Sequence, residues 1–94
     1  MITTGMVPIP NTGVISRMIN SEAVLVLPTK GKVKVLNEVG ARIWSLIDGV
    51  RTVGNISALI ESEYAVSAED AQRDTSIFLS QLEDREIIIF SEGV

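Results

Sequence analysis

Residues 23–43 read Ala23-Val24-Leu25-Val26-Leu27-Pro28-Thr29-Lys30-Gly31-Lys32-Val33-Lys34-Val35-Leu36-Asn37-Glu38-Val39-Gly40-Ala41-Arg42-Ile43. Two hydrophobic periods meet inside this stretch. Ala23–Leu27 is apolar at every position, which suits a strand covered on both faces and so central in its sheet. Pro28 and Gly31 punctuate it. Lys32–Leu36 then alternates, with Lys30, Lys32 and Lys34 on one face and Val33 and Val35 on the other. That pattern predicts an edge strand. At Asn37 the period changes from two to about 3.6. Asn37 is a good N-cap, Glu38 suits the first turn, and Val39, Ile43, Leu46 and Ile47 form one helical face beside Trp44.

Outward toward the N-terminus, Val14–Ile19 is rich in β-branched residues and ends at Asn20-Ser21, a turn signal. Residues 1–13 hold Gly5, Pro8, Pro10 and Gly13 without a period, and predict an extended or mobile arm. Outward toward the C-terminus, Asp48-Gly49 ends the first helix and Thr52 caps a second, with Val53, Ile56, Leu59, Ile60 and Tyr64 at helical spacing. Ser67 with Asp70 starts a third helix, whose stripe is Ala71, Thr75, Phe78, Leu79 and Leu82. Ile87–Phe90 is a short apolar segment that fits a strand. The expected fold class is α+β. A three-stranded antiparallel sheet is followed by three helices in a winged helix-turn-helix-like order. The expected division is an arm over 1–13 and one domain over 14–90.

The chain has 94 residues, no Cys, no His and a net charge of −4. One modest core is all that this length supports. Without Cys and His, a Cys/His zinc site, a thiol nucleophile, a disulfide and a His-based triad are excluded. No Gly-rich phosphate loop or nucleophile elbow occurs, so no cofactor is expected. The carboxylates fall on helix ends and exposed faces rather than in a pattern suited to acid–base work. No apolar run approaches the roughly 18 residues of a membrane span, and no secretory signal is seen. A non-catalytic, cytoplasmic protein without a membrane is the expectation.

Charge is unevenly spread. Residues 1–60 carry six basic and three acidic side chains, and residues 61–94 carry two basic and nine acidic ones. A recognition helix at 68–85 would hold Glu69, Asp70, Asp74, Glu83 and Asp84 against Arg73 and Arg85, and would repel a phosphate backbone. Nucleic acid is therefore not the expected partner. The Lys32–Leu36 edge admits two readings. An extended peptide can add to such an edge as another strand, and lysines on an edge equally serve to block that pairing.

The segment from Leu36-Asn37 through Ala41, Ile43-Trp44 and Leu46-Ile47-Asp48-Gly49-Val50-Arg51-Thr52-Val53 resembles the signature of the PqqD family. Ile56, Tyr64, Asp74, Phe78-Leu79 and Leu82 fall where that family places an Ile, an aromatic, an Asp, Phe-Leu and Leu. Two positions depart from it. Ile47 stands where quinone-pathway members carry Cys, and Asp84-Arg85-Glu86 stands where a Gly is common. The resemblance implies a RiPP recognition element, a peptide chaperone with a winged-helix-like fold. It implies a partner pair as well: the leader of a ribosomally made precursor peptide, and a radical S-adenosylmethionine or other modifying enzyme, as in pyrroloquinoline quinone biosynthesis.

Carried over, the docking strand is Lys32, Val33, Lys34, Val35 and Leu36, and Asp74 and Phe78 match the family on the third helix. Phe78 also fits the buried stripe. Ile77 and Gln81 join them by helical spacing, since Ile77 lies off that stripe. The alternative reading is a winged-helix regulator that binds DNA or protein. The arm and the free strand edge leave room for a homodimer.

Overall fold

The computed structural model describes residues 2–91; Met1, the first residue of the expected arm, lies outside them. Five strands and three helices are present. They are β1 (Val7–Pro10), β2 (Ile15–Ile19), β3 (Glu22–Leu27), β4 (Lys32–Leu36), α1 (Glu38–Leu46), α2 (Val53–Tyr64), α3 (Ala68–Asp84) and β5 (Ile88–Ser91). The expected three-stranded sheet is there, in the order β2-β3-β4 and antiparallel throughout. Its central strand holds the apolar run Ala23–Leu27. Asn20, at φ +58, turns the chain between β2 and β3, where Asn tolerates the left-handed region. A single 3₁₀ turn, Pro28–Lys30, closed by Gly31 at φ +63, leads into β4.

The helices start where side-chain caps allow. Asn37 Oδ1 accepts the Gly40 N–H at 2.9 Å, and Ser67 Oγ accepts the Asp70 N–H at 3.1 Å. Thr52 and Asn55 form a reciprocal capping box, each side chain accepting the other's backbone N–H. Such caps satisfy donors that no intrahelical carbonyl reaches. The α1–α2 turn is fixed by Asp48, whose Oδ1 accepts the N–H groups of Val50 and Arg51. Gly49 sits there at φ +79.

The fold goes beyond the expected three strands. Part of the expected arm, Val7–Pro10, pairs antiparallel with Ile88–Ser91 in a separate two-stranded sheet, with Val7 opposite Ser91 and Pro10 opposite Ile88. Proline cannot donate to a ladder, but each strand of a two-stranded ribbon is an edge, so Pro8 and Pro10 are tolerated. Val7 and Pro8 are buried. Just before them, the carbonyls of Met6 and Thr4 accept the N–H groups of Val53 and Gly54, both at 2.9 Å. Residues 4–6 thus satisfy the first turn of α2.

The core is aliphatic. Leu25, Leu36, Ile56, Leu79, Leu82, Ile88 and Val53 are its largest fully buried side chains. Each such residue stabilises the fold by roughly 1.5–3 kcal/mol over exposure. One face of the three-stranded sheet packs on the helices. The other face bears Ile15, Ile19, Val24, Val26, Val33 and Val35, of which all but Val24 and Val26 are exposed.

Candidate functional site

The register of β4 decides how its side chains can be used. Leu36 lies opposite Ala23, Lys34 opposite Leu25 and Lys32 opposite Leu27. Cross-strand partners share a face, and Ala23, Leu25 and Leu27 are buried against the helices. Lys32 and Lys34 therefore stand on the helix side of the sheet, with Lys34 half-buried. Val33 and Val35 point to the opposite face. The two-faced alternation read from the sequence holds, and it is the lysines that share a face with the core residue Leu36. Burying a lysine stem while its ammonium reaches water is favourable.

β4 is an edge strand. Its one strand neighbour among the described residues is β3. Beyond its far end, α1 and α3 meet. A cavity of about 300 Å³ there is lined by Asn37, Val39, Gly40, Ile43, Asp74 and Phe78. Asp74 and Phe78 are thus brought together with the first turns of α1, directly after Leu36. The missing Cβ of Gly40 makes the meeting possible, since Phe78 packs over the α-carbon. Phe78 is half-buried, so it belongs to both core and cavity wall.

At the near end of β4 a second link joins the strand to the end of α3. Lys30 Nζ lies 2.9 Å from Glu86 Oε2. That bond, and the nearby charge of Lys32, hold the Glu86 carboxyl below its ordinary range. Contacts at both ends of β4 thus tie its flanking residues to α3 and to the segment that follows it. One end is Asn37, Gly40 and Phe78, and the other is Lys30 and Glu86. The first end carries Asp74 beside the Phe78 ring, and the second carries the lysines.

The remaining site residues lie elsewhere. Ile77 and Gln81 line a separate depression with Ile2, Ser76 and Ser80. Ile77 is exposed and turned away from the cavity that Asp74 and Phe78 share. Sequence reasoning missed Val39, Gly40 and Ile43 as wall residues, because nothing in a helical pattern says which side of α1 meets α3. It also missed the Lys30–Glu86 tie, which joins residues far apart in the chain. A third depression lies on the β2 side and is lined by Met18, Ser21, Glu38, Ala41, Arg42, Ser45 and Tyr64. Of these, Arg42 donates through Nε and Nη2 to the two carboxylate oxygens of Glu63, each at 2.8 Å.

Among the described residues no group of three or more potential ligands converges on a metal site. No described helix is long and apolar enough to cross a membrane. What the site offers is a row of backbone N–H and C=O groups on an edge, flanked by apolar and charged walls.

Comparison with known proteins places this arrangement. The family model described as coenzyme PQQ synthesis protein D (PqqD) matches residues 22–88. No curated protein matches the chain significantly. Among solved structures, TbiB1 in complex with the TbiA(beta) leader peptide is 32% identical, with a TM-score of 0.80 over 85% of this chain and 93% of that one. A lasso peptide synthetase B1 complexed with the leader peptide is 23% identical, with a TM-score of 0.77 over 87% and 96% of the two chains. The PqqD truncation of Methylobacterium extorquens PqqCD, a functional and stand-alone RiPP recognition element, is 21% identical, with a TM-score of 0.79 over 95% of each. The last two likenesses speak for the fold.

Proposed function

The chain belongs to the PqqD family, and from that premise we propose that it is a non-catalytic peptide-binding module. It takes the leader segment of a ribosomally made precursor peptide as an added strand on β4. It presents the rest of that peptide to a separate modifying enzyme, of which a radical S-adenosylmethionine protein is the class the family suggests. The supporting observation is the free edge of β4, tied at its two ends to α3 and the segment after it, in a chain 32% identical to a protein solved with a leader peptide; the trough assigned to the peptide runs between those ends.

Strand addition supplies affinity through backbone hydrogen bonds, and the walls supply specificity. Lys32, Val33, Lys34, Val35 and Leu36 present the edge. Asp74 and Phe78 form the wall at the Leu36 end, and Ile77 and Gln81 flank α3 further out. A free leader is disordered, so ordering it on the edge consumes part of the interaction energy. Binding takes place in the cytoplasm, where such precursors are made. A homodimer through the free β2 edge is compatible with this use of β4.

The test is a titration of the isotope-labelled chain with peptides tiled from the short open reading frames beside its gene. Amide shifts confined to β4, the start of α1 and α3 from Asp74 to Gln81 are expected. Shifts on β2 alone, or none with any peptide, overturn the proposal. The regulator reading predicts retardation of bulk DNA at low salt in a gel-shift assay, and the acidic face of α3 argues for none.

A further inference from the structure

The Lys30–Glu86 ion pair occupies the place where a ligand in the trough would meet a free cation. Lys30 ends the turn before β4, and Glu86 follows α3, so their 2.9 Å contact spans the two walls at one end. Lys32 starts the strand just beyond, on the helix side. Both partners are half-exposed, within reach of an incoming side chain.

Glu86 is held there in an unfavourable backbone state. Its φ is +63, a conformation that glycine adopts freely and that crowds the Cβ of any other residue. The surroundings fix it. The Glu86 N–H donates to the Glu83 carbonyl at 2.9 Å, and the Glu86 carbonyl accepts from Asn11 Nδ2 at 2.8 Å. The Glu86 and Ile87 N–H groups close the end of α3 on the Glu83 and Leu82 carbonyls, so the fold accounts for the left-handed backbone but not for a glutamate in place of glycine, and a half-exposed ion pair returns little stability. Strained residues of this kind are a pointer to function.

We propose that Glu86 is a specificity-determining residue: its carboxylate is an internal competitor for Lys30, and an acidic side chain of the bound peptide must displace it. The inference rests on the reading of the trough as a peptide site. When one carboxylate replaces another on the same ammonium, the net electrostatic gain is small. Glu86 therefore mutes the preference for acidic peptides that Lys30, Lys32 and Lys34 would otherwise impose. The apolar wall around Phe78 is left to discriminate.

The test pans a phage-displayed library of random peptides of roughly twelve residues on the wild-type chain. The strongest binders with and without an acidic residue are then synthesised. Fluorescence anisotropy at two salt concentrations measures each against wild type, Glu86→Gly and Glu86→Gln. Acidic binders are expected to tighten about fivefold or more on both variants, with a steeper salt dependence, while neutral binders stay within about twofold. In a Lys30→Met background the gain from Glu86→Gly is expected to vanish. Glu86→Gly melts at or above the wild-type temperature, because it relieves the backbone; Glu86→Gln carries the binding test by itself if the glycine variant does not fold. Equal changes for acidic and neutral binders, no change, or a gain that persists without Lys30 overturn the competitor role and leave the peptide site standing. A library that yields no binder on wild type overturns the peptide site, and the competitor with it.

Discussion

Gly40 of α1 and Phe78 of α3 are packed so closely that a Cβ on the glycine would stand 3.1 Å from Phe78 Cε1. Helix interiors ordinarily disfavour glycine by about 1 kcal/mol relative to alanine. Here the glycine lets the ring lie over the helix and shape the cavity beside β4. Gly40→Ala should gain helix propensity and push the half-buried ring outward. The chain should keep its fold, with a melting temperature within a few degrees of wild type. Peptide affinity should fall roughly fivefold or more, because the wall at the Leu36 end moves. Thermal melts paired with calorimetry on the same samples check both halves.

The buried hydroxyl of Thr75 has no hydrogen-bond partner among the described residues, and the residue is fully inaccessible. An unsatisfied buried hydroxyl is costly, and valine has nearly the same shape. Thr75→Val should therefore raise stability by about 1 kcal/mol, read as a higher urea midpoint at unchanged slope. A midpoint lower than wild type would show that the hydroxyl is satisfied in solution.

Thr52 and Asn55 exchange both hydrogen bonds of a capping box at the start of α2. Removing the hydroxyl with Thr52→Ala should cost about 1 kcal/mol. Hydrogen exchange should quicken first in the opening turn of α2, where the carbonyls of Thr4 and Met6 also dock.

Three carboxylates are held below their ordinary range. The N–H groups of Arg51 and Val50 lower Asp48, the Arg42 guanidinium lowers Glu63, and the Lys30 ammonium lowers Glu86. A group whose folded pKa is depressed stabilises the fold above its unfolded value, and that stabilisation fades as pH drops through the folded value. Stability should therefore be flat from neutrality to about pH 5 and decline below about pH 4. Urea midpoints across that range test the direction. Asp48→Asn should start lower at neutral pH and decline less on acidification.

The lysines of β4 test the electrostatic wall. Lys32→Glu with Lys34→Glu should weaken binding of an acidic peptide and flatten its salt dependence. Circular dichroism must accompany the measurement, since Lys34 is half-buried and packs its stem on the helix side. An unchanged salt slope in a folded double variant would mean that these two residues do not steer the peptide.

Much of this is legible in the sequence. Asn37, Thr52 and Ser67 all serve as caps, because a cap needs only a side-chain oxygen three residues ahead of a helical N–H. The central strand was legible from its unbroken apolar run. The alternation of Lys32–Leu36 separated two faces, but only the pairing of Leu36 with Ala23 says which one meets the helices. The β1–β5 ribbon was not legible in β1, since Pro8 and Pro10 weaken a strand reading and the partner lies at the opposite end of the chain. Ile77 and Asp74 share a helical neighbourhood by spacing, but the two are separated by which side of α3 meets α1. Local rules cannot supply that angle.

The pairing of Val7 with Ser91 also sets a condition on synthesis. A chain emerging from the ribosome displays Val7–Pro10 early and must leave that edge unpaired until residues 88–91 have been made. The β2-β3-β4 hairpins and the capped helices, built from neighbours in sequence, are free to form in the meantime. The ribbon joins the most distant paired strands among the described residues, so its closure carries the largest loop entropy, and a deletion of residues 88–91 removes the one strand partner of β1 among them.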